Sequence, residues 1–176
     1  MAGDRAVVLL PGAWYPTTAP LLWFARMAAE ERGFRVVEEK GLLPEGVEPF
    51  GWARESAERA LVEASSAESV VVVGKSLASA TADLVAERGL PAIWLTPMLR
   101  NEQVLEALAR TEQPTLLVGG TADDHWRRAA IPENDALQVL ELDGLDHALQ
   151  ASGDVTHSLE ALREVTDAVE RFLAAF

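Results

Sequence analysis

The sequence has no cysteine, which excludes disulfide staples and thiolate chemistry. It is poor in basic residues: 15 Lys and Arg stand against 28 Asp and Glu, for a formal net charge of -13. No basic cluster offsets that average, so nucleic acid and anionic membrane surfaces are not expected partners. Long apolar runs are also missing. Met1 to Arg5 include an acid and lead directly into Ala6 to Leu10, a run too short for a signal-peptide core or a membrane span. The default expectation is a cytoplasmic protein. There is no internal repeat, low-complexity tract or linker, and 176 residues at 49% hydrophobic content suit one well-filled domain over residues 1–176.

One further absence decides a motif. Gly74-Lys75-Ser76 is how a phosphate-binding P-loop ends, but that loop needs a glycine five residues before Gly74. Ser69 stands there, and Val70 to Val73 fill the place of the loop. Four consecutive valines closed by glycine instead predict a strand buried on both faces, and the Ala- and Leu-rich segment that follows predicts a helix. Gly74-Lys75-Ser76-Leu77-Ala78 then reads as a Gly-X-Ser-X-Gly elbow with alanine in the last place. So tight a turn strains the serine backbone and requires small residues two positions to either side. Gly74 and Ala78 meet that requirement.

Strands and helices alternate along the whole chain. Ala6–Leu10 predicts a buried strand, followed by a helix starting near Thr17 or Thr18 with Pro20 in its first turn and Leu21, Phe24, Ala25 and Ala28 facing inward. Phe34–Lys40 is a strand whose charged end suits an edge. A helix over Trp52–Ala64 carries Glu55 and Arg59 as an i,i+4 pair. The elbow helix runs to Arg88 and closes at Gly89. Pro91–Leu95, Thr115–Val118 and Leu137–Leu142 complete the strands, the last with the alternation of a half-covered edge. Glu102–Ala109 is a helix, and Thr156–Phe176 closes the chain as an amphipathic helix with Leu159, Leu162, Val169, Leu173 and Phe176 buried. The pattern predicts an α/β fold with a mainly parallel sheet and helices on both faces.

In such a sheet, ligands bind beyond the carboxyl ends of the strands. Distinctive residues gather there: Pro11-Gly12-Ala13-Trp14, Gly74-Lys75-Ser76, Gly120-Thr121-Ala122-Asp123 and Gly144-Leu145-Asp146-His147. A serine hydroxyl needs an adjacent base to act as a nucleophile at neutral pH, and the base needs a third group to orient it. Ser76, His147 and Asp123 can supply those roles, in the chain order Ser, Asp, His. Asp124 reads as solvated or as a local cap. Adjacent Asp123, Asp124 and His125 are not expected to converge on one ion, so neither a metal nor a cofactor is expected. His157 opens the last helix as a surface residue. Lys75 reads as pairing with a nearby carboxylate, with a Ser–Lys dyad ranked below the triad.

These residues resemble those of the α/β-hydrolase fold, and the chain is similar over essentially its whole length to the small lidless bacterial α/β hydrolases related to the dienelactone hydrolases. The resemblance implies a minimal form of that fold with six parallel strands, lacking the first two antiparallel strands of larger relatives. It implies Ser76 as elbow nucleophile, Asp123 as the acid after the penultimate strand and His147 as the base after the last. The implied oxyanion hole uses the backbone N–H of Leu77 and one from the turn after the first strand, Ala13 or its neighbour Trp14. Ala78, where glycine is usual, is the departure from the pattern.

Larger relatives insert a lid after the strand ending at Leu95, whereas here Thr96-Pro97-Met98-Leu99-Arg100 leads almost directly into a helix. An open cleft is expected, with Trp14, Tyr15, Met98, Leu99 and Trp126 as wall residues. The expected function is hydrolysis of a small or carrier-linked acyl ester, thioester or lactone through an acyl-enzyme on Ser76. The expected partner is that small-molecule acyl substrate; oligomeric state is left open. Two alternatives stand beside it: a catalytically silent fold that binds a ligand or partner protein, and the same acyl-enzyme discharged to peroxide or an alcohol.

Overall fold

The computed structural model describes residues 4–176; residues 1–3, the start of the N-terminal stretch considered above, lie outside the described residues. The strands are β1 (Arg5–Leu10), β2 (Arg35–Glu38), β3 (Ser69–Lys75), β4 (Ala92–Leu95), β5 (Thr115–Gly120) and β6 (Leu137–Leu142). They form one 6-stranded sheet in the order β2-β1-β3-β4-β5-β6. Every pairing is parallel, so the sheet is wholly rather than mainly parallel. The connection from β2 to β3 crosses back over β1, so the strand order reverses between β1 and β3, and the ends of these strands flank the crevice where a ligand is expected.

Helices α1 (Pro20–Glu31) and α5 (Val155–Leu173) cover one face, packing Leu22, Ala25, Val165 and Phe172 against Val7, Leu9, Val71 and Ile93. Helices α2 (Pro49–Glu63), α3 (Ala82–Glu87) and α4 (Glu102–Arg110) cover the other, where Ala57, Ala60, Val85 and Leu108 meet Ala6, Val8, Val72 and Trp94. Alternate residues of one strand therefore enter opposite cores, which is why β1 and β3 read as unbroken apolar runs. The edge strands β2 and β6 are the least buried, with Arg35 and Glu38 on one and Gln138 and Glu141 on the other. Among the described residues, no helix is long and apolar enough to cross a membrane.

Several local expectations change. Helix α1 begins at Pro20 with Ala19 as its cap and no side-chain capping bond, because Thr17 is buried instead of turned back on the helix. Phe24 lies on the exposed flank of α1, and Leu22 and Ala29 take the inward positions beside Leu21. On α5, Leu159 is exposed and Ala161, Val165 and Ala168 occupy the buried face. Glu55 and Arg59 do not pair: Arg59 reaches across to Glu39 on the β2 end at 3.1 Å, and the i,i+4 pair on α2 is Arg54–Glu58 at 3.3 Å.

The elbow helix is two pieces. Ser76–Thr81 winds as a 3₁₀ helix before α3 begins. Its own hydroxyls favour the tighter winding, since Ser79 Oγ donates to the Ser76 carbonyl and Thr81 Oγ1 to the Ala78 carbonyl, both at 2.7 Å and both three residues back.

Candidate active site

Ser76 sits between the end of β3 and the 3₁₀ turn with φ of 51°, in the left-handed region that disfavours residues with a side chain. Two hydrogen bonds through Ser79 and a glycine hold it there. Ser79 Oγ donates to the Ser76 carbonyl and accepts from the Met98 N–H at 3.0 Å, tying the elbow to the β4–α4 connection. Gly74 lets the turn close: a Cβ on it would lie 2.6 Å from the Trp94 ring and 2.8 Å from the Ala78 Cβ. Alanine at position 78 is accommodated because Gly74 leaves the space, so the departure from the Gly-X-Ser-X-Gly pattern does not open the elbow.

A pair of glycines brings the acid and the base together. Strand β5 continues through Gly119 and Gly120, two residues beyond the predicted end. A Cβ on Gly119 would strike the Trp126 ring at 1.9 Å, and one on Gly120 would strike the Leu145 carbonyl oxygen at 2.1 Å. Without side chains at these positions, the turn after β5 and the turn after β6 interlock. Thr121 N–H donates to the Leu142 carbonyl at 2.9 Å and Ala122 N–H to that of Leu145 at 3.0 Å.

Asp123 and His147 meet across that junction. His147 Nδ1 lies 2.7 Å from Asp123 Oδ2, and its Nε2 lies 2.7 Å from Ser76 Oγ. The Asp123 side chain is fully buried, whereas the imidazole keeps 37% of its surface. Burial alone would raise the Asp123 carboxyl, but the bonds from His147 and from the His125 N–H at 2.8 Å outweigh it and hold the group below the usual aspartate range. Asp124 is exposed, so of the two adjacent aspartates only Asp123 reaches the imidazole.

Ser76 and His147 open on a cleft of about 570 Å³ lined by Ala13, Trp14, Tyr15, Leu43, Pro49, Leu77, Met98 and His125, with Asp123 buried behind the imidazole. Trp14 stands 83% exposed at its mouth. The β4–α4 connection spans only residues 96–101, and nothing inserted there covers the cleft. Ala13 and Leu77 both face this space. Among the described residues the Ala13 N–H has no hydrogen-bond acceptor, and the Leu77 N–H lies in the first turn of the 3₁₀ helix, where backbone donors lack an intrahelical partner. The Ala13 carbonyl accepts from the Leu43 N–H at 3.1 Å, which anchors the turn after β1.

Two expected wall residues lie elsewhere. Leu99 is 1% exposed and points into the core beneath α4, because the short turn closed by its own N–H on the Pro97 carbonyl sends Met98 and Leu99 in opposite directions. Trp126 covers Gly119 and anchors its Nε1 on Glu141 at 2.6 Å, so it packs under the β5 turn. Leu43, Pro49, Asp146, Ala148 and His125 line the cleft without having been anticipated. Only His125 carried a usable signal, since a turn aspartate commonly accepts from the N–H two residues on, as Asp123 Oδ1 does from His125 at 2.8 Å. Lys75 does not pair with a carboxylate as expected: it is 1% exposed and, among the described residues, makes no ion pair, its Nζ donating to the His147 carbonyl instead. His157 is half-buried, with Nε2 3.0 Å from the Asp143 carbonyl oxygen.

No protein-family model matches the sequence, and no curated protein matches it significantly. Solved structures do match. Est1E from Butyrivibrio proteoclasticus, in a complex with ferulic acid, superposes with a TM-score of 0.75 at 14% identity, over 98% of this chain and 89% of that one. The chain has the α/β-hydrolase fold. The esterase Pf2001 of Pyrococcus furiosus gives a TM-score of 0.74 at 12% identity, over 99% of this chain and 84% of the other. XC6422 from Xanthomonas campestris, described as an α/β serine hydrolase without a lid, gives 0.69 at 12% identity, over 98% and 84% of the two chains. This α/β-hydrolase-fold chain is likewise lidless, in a compact six-stranded form. The elbow, the β5 turn and the β6 turn lie at the carboxyl edge of its sheet.

Proposed function

We propose that this α/β-hydrolase-fold protein is a serine hydrolase that cleaves small or carrier-linked acyl esters, thioesters or lactones through an acyl-enzyme on Ser76. The observation that carries the reading is the continuous chain Ser76 Oγ, His147 Nε2, His147 Nδ1, Asp123 Oδ2, with both links at 2.7 Å.

In the first half-reaction, Ser76 Oγ attacks the acyl carbon as its proton passes to His147 Nε2. The C=O electron pair moves to oxygen, where the N–H groups of Leu77 and of Ala13 or Trp14 receive it. Collapse of the tetrahedral species breaks the bond to the leaving group, which departs with the proton from Nε2. Water then repeats the sequence on the Ser76 ester: it gives its proton to Nε2, and the returning proton restores the serine hydroxyl. Asp123 stays ionised throughout, fixing the tautomer with hydrogen on Nδ1 and favouring the imidazolium. Its low pKa is what that role requires.

The cleft supports the substrate class. Its mouth is open and its walls are mostly apolar, which suits a short acyl group with the remainder of the substrate outside. Hydrolysis of p-nitrophenyl acetate and butyrate, of a short-chain acyl thioester and of a simple lactone, each compared between wild type and Ser76→Ala, tests the proposal. Turnover that disappears in the variant supports it, and equal turnover by both proteins contradicts it.

A further inference from the structure

We infer that Lys75 is a positioning residue whose buried ammonium, by donating to the His147 carbonyl, holds the imidazole in line with Ser76. The inference rests on the acyl-transfer reading and adds to it a group outside the triad.

Lysine is scarce in this chain. Lys40 and Lys75 are its only lysines, and the surface ion pairs are made by arginines. Lys40 is exposed beyond the end of β2, whereas Lys75 is 1% exposed immediately before the elbow serine. A buried ammonium is costly unless something specific uses it, and an apolar side chain of similar length would fill the same space without that cost.

The contacts show what uses it. Lys75 Nζ donates to the His147 carbonyl oxygen at 2.9 Å and lies 4.9 Å from the centroid of the Tyr15 ring. Among the described residues, the His147 carbonyl accepts no other hydrogen bond. Ser76 Oγ is engaged by His147 and not by Nζ, so the lysine acts through the main chain of the base rather than on the nucleophile. The loop it grips needs fixing. It enters through Gly144 at φ of 69° and leaves through Leu149 at φ of 56°, with Asp146 closing it internally. Tyr15 is held in turn by its hydroxyl, which accepts from the Leu21 N–H at 3.0 Å. The ammonium thus joins the turn after β1, the elbow and the loop of the base.

Burial pushes the Lys75 ammonium down to about 8, opposed by the carboxylates of Asp123 and Asp146. Tyr15, whose hydroxyl pKa is raised by burial, faces Nζ from the turn after β1, and the His125 ring lies 4.9 Å from the imidazole that Lys75 positions, tilted 51° to it. Loss of the proton leaves an amine that donates a weaker hydrogen bond. Alignment of His147 should weaken as the pH rises through that region.

Three measurements test this. With ¹³C-lysine incorporated, the two Cε resonances are followed against pH while the rate of Ser76 modification by a fluorophosphonate is recorded over the same range. The expected result is a modification rate that falls with the midpoint of the Lys75 resonance. Folded Lys75→Met should react roughly tenfold to a hundredfold more slowly and lose that alkaline limb. A folded Lys75→Met that reacts at the wild-type rate with the wild-type pH profile overturns the inference. If that variant does not fold, a wild-type rate that passes unchanged through the Lys75 midpoint overturns it instead. Wild type left unmodified at every pH refutes the acyl-transfer reading itself. The His147 carbonyl ¹³C shift then tests the contact separately: following Lys75 supports it, and indifference to Lys75 overturns it.

Discussion

Gly120 and Leu145 touch through their backbones: a Cβ on Gly120 would lie 2.1 Å from the Leu145 carbonyl oxygen. This approach carries Asp123 on one turn to His147 on the next. Gly120→Ala should therefore push the two turns apart, destabilising the fold by about 1–3 kcal/mol as overpacking does. Its effect on esterase turnover should exceed the fraction unfolded at assay temperature. Urea unfolding and kcat/KM measured on the same preparation check both parts.

Asp123 holds a folded-state pKa below its unfolded value. A depressed carboxyl pKa stabilises the fold above the ordinary value, near pH 4, and that contribution disappears as the pH falls through the lower native one. Asp123→Asn should flatten this part of the acid unfolding curve while cutting kcat by on the order of 10⁴, the cost of the wrong imidazole tautomer in the trypsin-type case. Acid titration of unfolding free energy, set beside a steady-state assay at neutral pH, separates the two effects.

Lys75 gives the same direction of pH dependence at higher pH, but as a cost of the buried charge that is relieved on deprotonation. Its folded-state pKa of about 8 lies below the ordinary 10.5, so between these values the unfolded chain binds more protons than the native one. Stability therefore rises with pH across this window, by about 3 kcal/mol relative to a residue that cannot titrate. Folding free energy measured from pH 7 to 10.5 should show wild type gaining on Lys75→Met by about that amount.

Met98 and Leu99 are neighbours with different surroundings. Leu99→Ala should cost about 2–5 kcal/mol of stability by opening a cavity under α4. Met98→Ala should leave the melting temperature nearly unchanged and alter KM for butyryl against acetyl esters. Thermal melts and a two-substrate comparison distinguish core from cleft.

The central strands were legible in the sequence because β1 and β3 are buried on both faces, so hydrophobicity alone marks them. The elbow was legible because its geometry demands small residues at fixed offsets, and Gly74 and Ala78 supply them. Side-chain direction in the turns was not. Position at a strand end places a residue near the cleft but does not orient it, and Leu99 and Trp126 turned into the core for that reason. The inward flanks of α1 and α5 shifted by a residue or two, exposing Phe24 and Leu159, because a helical stripe tolerates rotation until its neighbours are known. Lys75 was read as pairing with a nearby carboxylate; its partner is instead the His147 carbonyl, on a loop from the far end of the chain, and short-range pattern does not carry such contacts.

The central claim is that Ser76 is activated by His147. Intact-mass analysis after fluorophosphonate treatment, with the adduct located by peptide mapping, tests it most directly in wild type, Ser76→Ala and His147→Ala. The account predicts one adduct on Ser76 of the wild-type protein, none on Ser76→Ala and a severely slowed reaction in His147→Ala. A folded wild-type protein that stays unmodified, or a Ser76 adduct that forms as fast without His147, would contradict it.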